Sequence, residues 1–360
     1  MNYKKTVCAL LISFILSTLV LTTSAFAATE DKKIERVYSY LGAGSDDTVQ
    51  AKPEKPGKPS PIATVNIRNI PSGDTLYGTV LIIAQVTGTF DHVVYQVGKA
   101  AEMPMDQVDS SERYEASWTT TTDDIGSSTL VVKAKDSNDE DVASSSVSVQ
   151  IVGAPVYTLR YETDCMTGQT PDAGVIEYLT NYWLGHAIVV QFDIDDQNIL
   201  DPTPSDGYIT EADFLALEKT YNEGPTNSKL EGGYQYTLPD KWMLYGTYAD
   251  NPVDPHVGGF TYVVRIGRDY VAGNYIFIAN EMIESWESEN NIPVKGGEVI
   301  VTGHETGHSI GIVVGAGGEK YDTDYYSIMS YMRLENAKDM KDYWYYSKEY
   351  WSTRNLGYYD

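Results

Sequence analysis

Cysteine is scarce, since the 360-residue chain contains only two, Cys8 and Cys165. Cys8 lies in a segment that we expect to be removed on export, so neither an intramolecular disulfide nor a cysteine-rich zinc finger is expected. Positive charge is also sparse, with 26 Lys and Arg against 51 Asp and Glu and a net charge of −25. Because such a surface repels a phosphate backbone, nucleic acid is not an expected partner.

Long apolar runs are limited to one, Val7–Leu21. Two lysines precede it and the small-x-small tripeptide Ala25-Phe26-Ala27 follows it, which is the pattern of a secretory signal covering residues 1–27. The run is shorter than the ~20 residues that a membrane-spanning helix needs. We therefore expect a secreted protein that begins near Ala28 and has no membrane span after signal cleavage.

Residues 28–62 read as a tail and linker, because prolines recur among lysines between Ala51 and Pro61 and favour extended backbone without a core. From residue 63 to 153 the pattern changes to short alternating segments separated by turn residues. This spacing predicts a β-sandwich. The predicted strands are Thr64–Ile70, Val80–Val86, His92–Val97, Tyr114–Thr119, Thr129–Lys135 and Ser146–Val152.

Three short stretches in this region carry a resemblance: Pro71-Ser72-Gly73-Asp74, Trp118-Thr119-Thr120 and Lys133-Ala134-Lys135-Asp136-Ser137. Together they resemble the bacterial immunoglobulin-like modules of secreted multidomain proteins. The resemblance implies an immunoglobulin-like sandwich over residues 63–153. Two roles stay open for it, a spacer or folding partner and attachment to a substrate, cell surface or matrix.

Residues 154–360 mix helical and extended patterns, which predicts an α+β domain. A helix after Pro171-Asp172 should end at Gly185, and Thr210 with Asp213 predicts a capped helix over Ala212–Tyr221. The remaining predicted elements are strands at Ala187–Phe192, Lys241–Tyr248, Phe260–Ile266 and Tyr275–Ala279 and helices at Asn280–Glu289 and from Gly296-Gly297 onward.

The strongest chemical signal is the pentapeptide from His304 to His308. Residues four apart share a helix face, so both imidazoles can bind one Zn²⁺, and Glu305 lies beside the open position. There Glu305 can act as general base and then general acid in peptide hydrolysis. Gly303 and Gly307 weaken the helix by about 1 kcal/mol each, so packing or metal must hold it. Gly311 is expected to turn the chain at positive φ.

A second motif follows, Ser327-Ile328-Met329-Ser330-Tyr331. Together with the HExxHxxG pattern it resembles the metzincin zinc peptidases, whose signature includes a Met-turn of this form. The resemblance implies a metzincin-like α+β catalytic domain over residues 154–360. It also implies that Met329 forms a hydrophobic floor, that Tyr331 acts on the metal or the oxyanion, and that Tyr275–Ala279 is an edge strand to which an extended peptide substrate adds.

The third metal ligand is the exception to this pattern. The family usually has His or Asp six residues after the second histidine, where this chain has Val314, which cannot bind zinc. A glycine-rich loop follows and could return a carboxylate to the metal. We take Asp322 as the third ligand, with Glu319 and Asp324 as alternatives.

Calcium is weakly indicated by the acidic segment Asp193–Asp213. It matches half an EF-hand, but Pro202 and Pro204 occupy ligand positions, so a solvated loop that caps a helix is favoured. Cys165 could cap a zinc ion as a latency device or be a small buried hydrophobe, and we favour the latter.

Two functions are therefore carried forward. The first is a secreted zinc endopeptidase acting on protein or peptide substrates. The second is a non-catalytic extracellular binding or adhesion protein with a degenerate peptidase domain.

Overall fold

The protein is mostly β-sheet with few helices. A computed structural model describes residues 32–40, 62–108, 112–202, 207–222, 240–249, 257–266, 269–290, 296–312, 327–329, 345–352 and 354. Over these ranges, no helix combines the length and apolar character needed to cross a membrane.

Two facing sheets form the N-terminal unit. One has the order β3-β10-β9-β5-β6 and the other β2-β4-β8-β7, and alternate residues of both point into a shared apolar core. After β1 (Lys32–Tyr40), which belongs to another sheet, the strands are β2 (Thr64–Ile67), β3 (Asp74–Leu76), β4 (Thr79–Thr87), β5 (His92–Val97), β6 (Met103–Pro104), β7 (Asp106–Gln107), β8 (Arg113–Thr119), β9 (Gly126–Lys135) and β10 (Asp141–Ile151).

A six-stranded mixed sheet follows, and helices pack against it. Its order is β1-β14-β15-β13-β11-β12, in which β1 and β14 run antiparallel at one edge. The strands are β11 (Tyr157–Cys165), β12 (Ile188–Ile194), β13 (Asp240–Gly246), β14 (Val257–Ile266) and β15 (Asp269–Ala279). The helices are α1 (Ala173–Gly185), α2 (Glu211–Tyr221), α3 (Asn280–Asn290), α4 (Gly296–Ser309) and α5 (Lys348–Trp351).

Local sequence signals located many elements well. The strand His92–Val97 has the predicted bounds, and the capping box of Thr210 and Asp213 is present at the start of α2. Helix α4 begins at Gly296, and Gly311 has a φ of 83°. These predictions are confirmed because caps and turns depend on near neighbours in the chain.

Long-range pairing was predicted less well. Strand β11 was not predicted, and β1 lies in the stretch interpreted as a tail. The prediction that Tyr275–Ala279 forms a sheet edge is wrong, because β15 has β14 on one side and β13 on the other. Which strand becomes an edge depends on partners far away in the sequence.

The two units meet around a buried carboxylate. Asp74, at the start of β3, has one oxygen 2.6 Å from Nδ1 of His186, and its other oxygen accepts a 2.6 Å hydrogen bond from Arg354. Burial raises the pKa of Asp74, but His186 and Arg354 outweigh this and hold it below its ordinary value of 3.8. Ile83 of the sandwich also joins the apolar core of the second unit. The sandwich therefore packs on its neighbour through both charge and apolar contact.

We expect Asp74→Asn to lower the free energy of unfolding by about 3 kcal/mol at pH 7, because it leaves the largely buried guanidinium of Arg354 without its carboxylate partner. Since the pKa of Asp74 is depressed in the folded state, its contribution is present above pH 3.8 and is lost as the pH falls through the folded-state value. Urea unfolding at pH 7 and pH 3 measures both effects. Asp123→Asn is the exposed control and should change stability by less than about 0.5 kcal/mol. Equal losses in the two variants would contradict this account of the interface.

Candidate metal centre

Helix α4 carries the histidine pair and is buried along its whole length of 14 residues. It lies against β14 and β15, with α1 and α3 beside it. Its first turn is capped from outside, because Oε1 of Glu287 in α3 accepts hydrogen bonds from the backbone N–H groups of Gly297 (2.6 Å) and Glu298 (3.3 Å). A carboxylate at this end also opposes the positive pole of the helix.

The two imidazoles lie side by side on this helix. The ring centroids of His304 and His308 are 4.5 Å apart and the rings are perpendicular. Nδ1 of His304 is 3.0 Å from the carbonyl oxygen of Ile328, and Nδ1 of His308 is 2.8 Å from that of Ile312. Because a carbonyl can only accept, each Nδ1 carries the proton and each lone pair lies on Nε2.

Burial keeps both rings neutral. Desolvation lowers the pKa of His304 to about 4, and desolvation together with the neighbouring ring lowers the pKa of His308 well below its ordinary value. Nε2 of His308 is buried and has no hydrogen-bond partner among the described residues. A neutral imidazole with an available Nε2 lone pair is the form that binds a transition metal.

Two glycines of α4, next to its histidines, allow other segments to approach the helix closely. A Cβ at Gly303 would lie 3.0 Å from Cδ1 of Ile328, and one at Gly307 would lie 2.8 Å from both Sδ of Met329 and the ring of Tyr346. The segment Ser327–Met329 is thus packed directly on the helix that carries the imidazoles. The glycines that weaken the helix locally are the positions that allow this packing.

Glu305 is also buried, and it contacts the sheet. Its Oε2 accepts a 2.5 Å hydrogen bond from the hydroxyl of Thr261 on β14. Sequence reasoning missed this partner. No local signal could have found it, because the two residues are 44 positions apart.

Three tyrosine hydroxyls reach further polar groups of α4. They lie on β11, on β13 and just before α5, and together they contact polar groups that a fully buried helix would otherwise leave without partners. The contacts are Tyr161 to Ser309 (2.8 Å), Tyr245 to Thr302 (2.8 Å), and Tyr346 to Thr306 (3.2 Å) and to the carbonyl of Gly303 (2.5 Å). In the sequence, these contacts are reflected only in the high tyrosine content of the chain, 29 residues.

Several predicted site residues lie outside the described residues. These are Asp322, Glu319, Asp324, Val314 and Tyr331. Across the described ranges, no group of three or more His, Cys, Asp or Glu side chains is placed to hold a metal ion. The described part of the chain therefore contributes His304, Glu305, His308 and Met329 to the candidate site.

Cys165 is a buried core residue, as we favoured from the sequence. It is a fully buried free thiol within the apolar core, and burial raises its pKa to about 12. This burial in the core agrees with the interpretation of Cys165 as a small buried hydrophobe.

Comparisons with known proteins give little beyond local similarity. No protein-family model and no curated protein matches the chain. An endo-β-1,4-mannanase structure from Thermotoga petrophila is 16% identical over 28% of this chain and 21% of its own length, with a TM-score of 0.23. Fibronectin(III)-like modules of Clostridium thermocellum CbhA are 21% identical over 24% of this chain and 94% of their own length, with a TM-score of 0.20. The chain spans about a fifth of the mannanase.

These findings overturn the metzincin assignment. No family model matches the chain, and the described residues contain no three-ligand metal group. The fold is shown as mostly β-sheet with few helices, and the expected metzincin-like α+β catalytic domain is not shown. Two short motifs describe the neighbourhood of one helix and do not fix the fold of two hundred residues.

We expect Met329→Ala to lower the free energy of unfolding by about 3 kcal/mol, because Met329 is 2% exposed and fills the space above Gly307. Met329→Leu keeps the volume and should cost less than about 1.5 kcal/mol. Urea unfolding measures both variants. The control is Met103→Ala, at a methionine that is 50% exposed. If Met329→Ala unfolds no more readily than this control, the close packing on α4 is wrong.

Proposed function

We propose that this chain is a secreted zinc-dependent endopeptidase in which His304 and His308 bind the metal and Glu305 transfers the proton. The observation that supports it most directly is the pair of backbone carbonyls that hold both Nδ1 atoms. Metal-binding histidines commonly donate their second ring N–H to such a partner, which fixes the tautomer and the ring orientation. Two imidazoles fixed in this way, four residues apart on one helix, are a preorganised pair.

The residues present fit zinc. Neutral imidazole nitrogen is among its preferred ligands, and the buried Nε2 of His308, which lacks a hydrogen-bond partner among the described residues, is the kind of atom that a metal would satisfy. Bound there, zinc supplies Lewis-acid activation of a peptide carbonyl and of water.

Glu305 supplies the proton chemistry. Its carboxylate accepts the proton that water loses on attacking the carbonyl carbon of the scissile bond, and it then donates that proton to the leaving amine nitrogen. Glu305 is fully buried, and exclusion of bulk water strengthens its electrostatic interaction with the reacting groups. The substrates that follow are proteins or peptides.

We further propose Asp322 as the third protein ligand, with Glu319 and Asp324 as alternatives. Tyr331 is proposed as a phenol donor to developing negative charge. Residues 63–153 are proposed to be an immunoglobulin-like sandwich. The buried contacts of Asp74 support a role as folding partner, and attachment to a cell surface or matrix is an additional proposed role.

We expect the purified mature chain to bind about one zinc and to cleave a denatured protein, and Glu305→Gln to abolish cleavage while keeping the metal. The reason is that glutamine keeps the shape of glutamate but is not a base. Zinc content by mass spectrometry and peptide release from denatured casein give the two readouts. Glu289→Gln, at an exposed position of α3, is the matched control and should retain activity. Zinc binding without cleavage by the wild type would instead favour the non-catalytic binding protein.

We expect His308→Gln to reduce bound zinc to below about a tenth of the wild-type value, whereas His92→Gln, on the sandwich surface, should leave it unchanged. Removing one carboxylate at a time by Asp322→Asn, Glu319→Gln and Asp324→Asn then identifies the third ligand as the variant with the largest loss. Unchanged zinc in all three carboxylate variants would show that none of them is the ligand.

A further inference from the structure

We propose that Thr261 is a positioning residue that aims the carboxylate of Glu305 by a direct hydrogen bond from the sheet. This inference rests on the proposed function, since it assigns Glu305 the transfer of a proton. The two side chains are fully buried, so the contact is made away from water, where a hydrogen bond to a charged group is strongest.

The hydroxyl of Thr261 has one proton and two acceptors within reach. Its Oγ1 lies 2.5 Å from Oε2 of Glu305 and 3.2 Å from the backbone carbonyl of the same residue. The shorter contact is to a side-chain carboxyl oxygen, and the backbone carbonyl already accepts a helical N–H bond within α4. The hydroxyl proton therefore goes to the carboxylate.

The backbone at Thr261 is held from both sides, which makes it a firm support. In the sheet, Thr261 pairs with Ile276 of β15 and with Val37 of β1. A side chain on an interior strand has less freedom than one on a loop, so its donor is held in a fixed place.

Gly259, two residues earlier on the same face of β14, makes room for this arrangement. A Cβ at Gly259 would lie 3.2 Å from Cγ of Glu305 and 2.7 Å from the carbonyl oxygen of Phe277. The absence of a side chain there allows Glu305 to lie against the strand. Gly259 thus leaves room for the Glu305 side chain, and Thr261 donates the hydrogen bond to it.

Glutamate has three side-chain torsions, and its carboxylate must be in reach of both water and the leaving amine. The short contact to Oε2 restricts those torsions before substrate binds, which is preorganisation. Loss of the hydroxyl should lower kcat and leave KM almost unchanged, because the contact affects the proton carrier and not the binding of substrate.

The test has two arms on the full mature chain. In the first, metal-free wild type, Thr261→Val, Glu305→Gln and the double variant are unfolded in urea, which makes a double-mutant cycle that needs neither zinc nor activity. We expect the change in urea midpoint of the double variant to differ from the sum of the changes in the two single variants. The matched control is Thr163→Val, at a buried threonine whose hydroxyl donates to the carbonyl of Tyr161, and it should combine additively with Glu305→Gln.

In the second arm, the zinc-loaded forms are assayed. We expect Thr261→Val to lower kcat roughly ten- to a hundredfold with unchanged KM and zinc content, Thr261→Ser to restore most of kcat, and Thr163→Val to stay near wild type.

Additive midpoints, or full kcat in Thr261→Val, would overturn the inference. If the wild type fails to cleave while the midpoints are non-additive, the proposed function fails and the catalytic role of Thr261 with it, but the contact stands. The two failures are thereby distinguished.

Discussion

Complete burial of α4 is the constraint on which the rest of the site depends. A helix that carries two histidines, two glutamates and several hydroxyls is costly to remove from water unless its polar groups find partners. The surrounding elements provide the partners. Backbone carbonyls bind the imidazoles, a threonine hydroxyl binds Glu305, and tyrosine hydroxyls reach Ser309, Thr302 and Thr306. The chemistry of the site and the stability of the core are therefore served by the same contacts.

The sandwich packs directly against that core and contributes a residue to it. Its Asp74 is held between His186, directly after α1, and Arg354 near the C-terminus. Its Ile83 lies in the same apolar cluster as residues of α1 and α4. Because α1 also packs against α4, close-packed side chains connect the interface with the histidine helix.

Elements whose determinants are local could be predicted from the sequence. The histidine helix, its start at Gly296 and the turn at Gly311 follow from glycine placement and spacing. Partners supplied by distant strands could not be predicted: the bond from Thr261 to Glu305 and the edge position of β1 depend on how the sheet is assembled. The metzincin assignment failed for a related reason, since a motif of a few residues says little about the ligand set and fold that long-range contacts determine.

The proposed zinc site requires that His304 and His308 are Nδ1–H tautomers whose Nε2 atoms are available to the metal. Long-range ¹H–¹⁵N correlation spectra of the histidine-labelled chain, taken without metal and then with one equivalent of zinc, test it most directly. We expect Nδ1–H signals with unprotonated Nε2 for both rings in the metal-free protein, and a shift of both Nε2 resonances on addition of zinc. Protons found on Nε2, or two resonances that zinc leaves unmoved, would contradict it.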